Sequence, residues 1–186
     1  MNRTTRLPIL AAAAATLLAG CASAPRPVAQ GAPPAPAAVT AIASTGTAQG
    51  AIANLASASG SLVSGRVVLS PDVGGVRVRG EVGGLVRNGT HNLRLHTRGD
   101  CSAVDATSAG PEFDAQQGTP SRLPDSGERG RVVANGSGVA TLDLLLPGAV
   151  LGGGAANDIV GRSLLILGAT PGAISARVAC GTVQVQ

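Results

Sequence analysis

From about residue 50 onward, apolar and polar positions alternate in short runs broken by Gly-, Asn- and Ser-rich turns. The cleanest run is Gly75-Val76-Arg77-Val78-Arg79-Gly80-Glu81-Val82, where Val76, Val78 and Val82 fall on one face and Arg77, Arg79 and Glu81 on the other. That two-residue period is the signature of a half-buried antiparallel strand. Further strand-like runs cover 62–69, 92–97, 131–134, 139–146, 159–167 and 174–185. In 92–97, Leu93 and Leu95 share one face while Arg94 and His96 share the other, and a Gly-, Ser- and Asp-rich loop holding Cys101 follows. No helical period is sustained in this part of the chain. Short, regularly spaced strands with Gly-rich turns predict an all-β sandwich or barrel.

The first half-hundred residues follow a different pattern. Arg3 and Arg6 precede an apolar stretch, 7–18, which ends in Leu18-Ala19-Gly20-Cys21. This reads as a secretory signal, and its last four residues match the bacterial lipoprotein pattern, in which the Cys21 thiol is acylated and becomes the new N-terminus. An ordinary cut after Ala24 is the alternative. The apolar stretch is shorter than the roughly 20 residues a spanning helix needs. Residues 22–48 are mostly Ala, Pro, Gly, Ser and Thr with a single charge, Arg26. Such a segment buries too little surface to offset its ordering entropy, so a disordered, proline-extended tether is expected. Ala22 stands where an aspartate retains the resembling enterobacterial lipoproteins in the inner membrane, which makes the outer membrane, facing the periplasm, the expected address. The chain thus divides into a signal peptide, 1–20, a tether, 21–49, and a β domain, 50–186.

Composition narrows the chemistry. Among 186 residues there is one Phe and no Trp or Tyr, so the core has to be aliphatic. The formal charge of +4 falls to +2 once Arg3 and Arg6 leave with the signal. Without Lys/Arg clusters or aromatic platforms, nothing favours nucleic acid as a partner. There is no Gly-rich phosphate loop, Cys-x-x-Cys, His-Glu-x-x-His or Gly-x-Ser-x-Gly. Asn88-Gly89-Thr90 and Asn135-Gly136-Ser137 read as turns.

One stretch carries a more particular signal. His91-Asn92-Leu93-Arg94-Leu95-His96, then Gly99-Asp100-Cys101-Ser102-Ala103, then Thr107-Ser108-Ala109-Gly110-Pro111-Glu112-Phe113, resembles the second metal-bearing strand and first long loop of the copper/zinc superoxide dismutases. The strand Gly75–Val82 with Gly84-Leu85, the segment Gly161-Arg162-Ser163-Leu164-Leu165, and Arg177-Val178-Ala179-Cys180-Gly181 resemble the same family, in the same order. The resemblance implies an eight-stranded Greek-key barrel, with a disulfide between Cys101 and Cys180 that ties the long loop to the last strand; two buried free thiols are the alternative. Closing a loop of about 80 residues stabilises a fold by on the order of 4 kcal/mol.

By the same resemblance the four copper ligands, all histidines in the family, fall on Arg94, His96, Glu112 and Leu167. The remaining zinc ligands fall on Gln117, Asp125 and Glu128. An arginine brings a permanent positive charge and leucine has no donor atom, so copper cycling through imidazole-rich coordination is not expected. Glu112, Asp125 and Glu128 could form a weak oxygen-ligand divalent site. The favoured expectation is an ion-pair cluster in which Arg94 stands in for the lost metal. Arg177 matches the family's anion-guiding arginine, either as a remaining anion site or as an arginine held by backbone carbonyls. The segment between Gly168 and Ser175 is much shorter than the family's charged, substrate-steering loop. His91 reads as an ordinary strand residue and Phe113 as packing under the loop.

The functional expectation is therefore a non-catalytic, superoxide dismutase-like envelope lipoprotein, acting as a binding or structural module and holding no cofactor. Its partners would be the membrane through the lipid, a protein of the envelope, and a second copy if the family's dimers persist. The alternatives are a divergent dismutase using copper and zinc in the periplasm and a weak periplasmic metal-binding protein.

Overall fold

The computed structural model describes residues 41–122, 128–168 and 176–186, all within one compact unit, Ala38–Gln186. The expected signal, Cys21 and the tether up to residue 40 lie outside the described residues, as does Asp125. The chain already packs against the β domain before Gly50. Ala43 donates its N–H to Asn157 Oδ1 at 2.9 Å and accepts from Asn157 Nδ2 at 2.8 Å, and Ala48 N–H donates to Leu151 O at 2.9 Å. Asn157 is fully buried, so these bonds replace the water its amide would otherwise hold. Residues 41–49, expected as the end of the tether, are in this way part of the folded body.

Eight antiparallel strands form a nearly closed Greek-key barrel. They are β1 (Ala51–Ser57), β2 (Ser64–Asp72), β3 (Gly75–Gly83), β4 (Thr90–His96), β7 (Arg131–Val133), β8 (Ala140–Pro147), β9 (Ser163–Leu167) and β10 (Arg177–Thr182). Short pieces β5 (Phe113–Asp114), β6 (Thr119–Pro120) and β11 (Gln184–Val185) complete the described strands, and a 3-10 turn, Thr107–Ala109, interrupts the long loop. The order around the barrel is β7-β4-β9-β10-β1-β2-β3-β8. β1 was not among the expected runs. Its inward residues, Ala51, Ala53 and Leu55, are buried, but two of the three are alanines and blunt the alternation. The last expected run, 174–185, is divided between β10 and β11, and strand pairing in 159–167 begins only at Ser163.

β3 shows how the pattern makes the wall. Val76, Val78 and Val82 have no exposed surface, and burying each stabilises the fold by about 1.5–3 kcal/mol. On the outer face Arg77 bonds Asp72 at 2.8 Å and reaches Asp143 of the neighbouring β8 at 3.3 Å. These surface pairs contribute about 0–1 kcal/mol each and chiefly keep the face soluble.

β4 and β9 are buried on both faces. Leu93, Leu95, Leu164 and Ile166 point into the barrel core, while Asn92, Arg94, His96, Ser163, Leu165 and Leu167 lie on the opposite face. On that face, Leu165 and Leu167 pack with Ala58, Ala106, Ala109 and Cys180 into a second, smaller apolar cluster. Cys101 and Cys180 are joined in a disulfide across a sequence separation of 79, which clamps the loop over this cluster.

Candidate functional site

The outer face of β4 and the loop above it hold the residues that chemistry singled out. Arg94 is 3% exposed. Its Nη1 donates to the carbonyl of Arg129, and its Nε lies 3.8 Å from Glu112 Oε1. Arg129 Nη1 donates to the same carboxylate oxygen at 2.8 Å. Asn92 Nδ2 donates to Arg129 O at 2.9 Å, so two side chains of β4 hold one loop carbonyl. Glu112 reaches the group because its backbone forms an isolated antiparallel bridge with His96. The result is a carboxylate between two guanidinium groups.

Arg129 was not expected in the cluster, and Glu128 was. The glutamate is 83% exposed and lies 3.6 Å from Arg131, three residues along. The reason is local geometry. Leu93 N–H donates to Gly130 O at 2.7 Å, which draws the chain onto β4. Gly130 has φ of 59°, and a Cβ there would sit 2.2 Å from Leu93 O, so only glycine permits the approach. Anchored at Gly130, the preceding residue, Arg129, reaches Glu112 while Glu128 stays in solvent. Two neighbours in sequence thus part company. Gln117 also stays away from Arg94: it is exposed at the β5–β6 turn, where its N–H donates to Asp114 Oδ1 at 3.4 Å.

His96 Nδ1 lies 2.8 Å from Gly110 O. A carbonyl only accepts, so Nδ1 carries the proton and the lone pair is on Nε2. Burial lowers the pKa of His96, against a smaller raising effect of the Gly110 bond, and the nearby charges of Arg177 and Arg94 lower it further. Arg177 donates from Nη1 to Ala106 O at 2.8 Å and from Nη2 to Gly110 O at 3.1 Å. Of the two sequence readings for this residue, the geometry matches the one in which carbonyls hold it. It serves as a brace for the long loop. Leu167 is 6% exposed within the smaller apolar cluster.

His91 faces away from this group and is 1% exposed, with Nδ1 3.0 Å from Leu167 O and no hydrogen-bond partner for Nε2 among the described residues. Burial lowers its pKa, only partly opposed by that bond. Phe113 is buried in the main barrel core, with the Arg162 guanidinium stacked 3.6 Å from its ring centre. Arg162 in turn donates to Asp158 O at 2.8 Å and Thr97 O at 2.9 Å.

A Greek-key barrel whose long loop is clamped by a disulfide defines a class of all-β proteins, and the comparison with known families makes it specific. The profile of the copper/zinc superoxide dismutase family (SODC) matches residues 63–183, and the chain belongs to that family. No curated protein matches the chain.

The family's metals do not fit the residues present. At the four positions that the resemblance assigns to copper stand Arg94, His96, Glu112 and Leu167, which offer one imidazole and one carboxylate already shared by two arginines. A buried guanidinium opposes a cation, and an aliphatic side chain cannot ligate one. Among the described residues, no three His, Cys, Asp or Glu side chains are grouped so as to hold a metal ion.

Proposed function

We propose that this chain is a non-catalytic superoxide dismutase-like lipoprotein of the bacterial cell envelope, a disulfide-clamped β-barrel that serves as a binding or structural module. The observation that carries this reading is Arg94. Its guanidinium is 3% exposed at a copper-ligand position and points at Glu112, which occupies another. The cluster has the charge arrangement of a metal site with the cation supplied by the protein. Such a site needs no metal to hold its loop, and it offers redox chemistry no open coordination position.

The anchoring part of the reading rests on the chain's first residues: the Leu18-Ala19-Gly20-Cys21 pattern, with Ala22 after the acylated cysteine. On this reading the barrel lies in the periplasm, anchored in the outer membrane through the Ala- and Pro-rich residues 22–40.

The test is one sample read in two ways. The mature chain is purified from periplasm after growth with added copper and zinc, and both metal content and superoxide dismutation are measured. Metal well below stoichiometric, with dismutation no faster than free-ion controls, is the expected result. Stoichiometric copper with activity would replace this reading with that of a divergent dismutase.

A further inference from the structure

The barrel wall is open on one side. Between β4 and β8 lies a pocket of about 290 Å³ whose apolar lining includes Leu93, Leu95, Phe113, Leu144 and Leu146. It arises because β7 has only three residues and pairs with β4 only across Thr90, His91 and Asn92, so the strand that should run between β4 and β8 stops short.

Three features define what fits this slot. First, β8 pairs with β3 along its whole length and with no other strand among the described residues. Its other edge therefore presents N–H and C=O groups at alternate residues, a template for strand addition. Second, Leu144, Leu145 and Leu146 all line the pocket, although successive strand side chains point to opposite faces. Three consecutive residues can share one cavity only if its wall includes the backbone edge itself. Third, the inward positions of β8 lose burial at the gap: Ala140 and Leu142 are 1% and 2% exposed, whereas Leu144 and Leu146 are only partly buried.

Among the described residues, the charged ones lining the slot are Arg94, Arg129, Glu112 and Asp114, two of each sign, and this lining favours no net charge. We propose that the slot binds a short, extended, uncharged aliphatic segment of another polypeptide. The segment adds to the free edge of β8 and inserts an aliphatic side chain between Leu93 and Leu144. Backbone bonds to the edge supply affinity and the pocket supplies side-chain selectivity. This names a partner chemistry for the binding-module reading and rests on it.

The experiment titrates ¹⁵N-labelled full-length protein with the capped pentapeptide Thr-Val-Thr-Val-Thr, followed by amide NMR and hydrogen exchange. Expected are saturable shifts at 141–146 and around Leu93, at least tenfold slower exchange of the outer-edge amides of β8, and at least tenfold weaker binding of the fully N-methylated peptide. Leu144→Trp, which fills the slot, abolishes the shifts. If that variant fails to fold, Leu145→Lys places a charge on the edge at a 36% exposed position and weakens binding at least tenfold with an unchanged unfolding midpoint. Absence of saturable shifts at millimolar peptide overturns the proposal, as does equal binding of the N-methylated peptide. Protection of the β8 edge in the peptide-free protein also overturns it, whether concentration-dependent, from a second copy, or concentration-independent, from the chain itself. Dismutation measured on the same sample separates the two readings. Activity with peptide shifts removes the non-catalytic reading and leaves the slot, and inactivity without shifts removes the slot alone.

Discussion

Replacing Arg94 with alanine tests whether the guanidinium supports the fold from the position where the family keeps copper. Removing one partner of a buried ion pair commonly costs about 3–5 kcal/mol, because the other charge is left unpaired. Here that full penalty does not apply. Glu112 keeps Arg129 at 2.8 Å and is 23% exposed, and the Arg129 carbonyl keeps Asn92 at 2.9 Å. Among the contacts within the described residues, what disappears includes the Arg94–Glu112 attraction at 3.8 Å, one charge-assisted bond to the carbonyl, and the packing of a side chain that is 97% buried. A hydrogen bond to a charged group contributes about 1.5–3 kcal/mol, and the residual cavity adds to that. The expected loss for Arg94→Ala is thus about 2–4 kcal/mol, a fall in melting midpoint on the order of 10 °C for a domain of this size. Arg94→Met keeps most of the volume and is expected to recover roughly half of it. Urea unfolding at pH 7.5, disulfide intact, measures both. A midpoint for Arg94→Ala within error of wild type would refute the reasoning. Arg94→Met matching Arg94→Ala would refute the packing share and assign the whole loss to the guanidinium's charge and hydrogen bonds.

Two further outcomes follow from the same geometry. Replacing both Cys101 and Cys180 with alanine opens a loop with a sequence separation of 79, and the chain-entropy estimate gives a loss of about 4 kcal/mol. Urea midpoints of the double variant and of wild type under reducing conditions should fall together, and an unchanged midpoint in either would contradict it. The two histidines set a pH dependence. His91 and His96 both have pKa values lowered by burial from 6.5, so the unfolded chain takes up protons that the folded one does not. Stability is full above pH 6.5 and falls as pH drops below it, by up to about 1.4 kcal/mol per pH unit for each histidine. Urea midpoints between pH 8 and 5 should decline in wild type and decline less steeply in His91→Gln, whereas parallel curves would remove His91 as a contributor.

Much of the barrel was legible in the sequence because a half-buried strand writes its burial as alternation. Val76 to Val82 and Leu93 to Leu95 state which face is inside without any knowledge of their neighbours. β1 was missed because its inward positions are mainly alanine, which suits an interior crowded by β2 and β10 but carries little hydrophobic contrast. Residues 41–49 were missed for a related reason: their order comes from Asn157, more than a hundred residues away, and not from any period of their own.

The candidate site divides along the same line. Residue chemistry alone established that Arg94 and Leu167 cannot bind copper and that the four copper positions cannot carry four imidazoles, since side-chain donors are fixed by residue type. Which charges surround Arg94 was decided in three dimensions. Gly130 had to close on Leu93 before Arg129 could reach Glu112 and Glu128 could be turned out into water. The open slot beside β8 likewise depends on where β7 stops, which is a matter of pairing between distant segments. Sequence determines what each side chain is able to do; only packing determines which of them meet, because contacts between residues far apart along the chain are fixed by the fold as a whole.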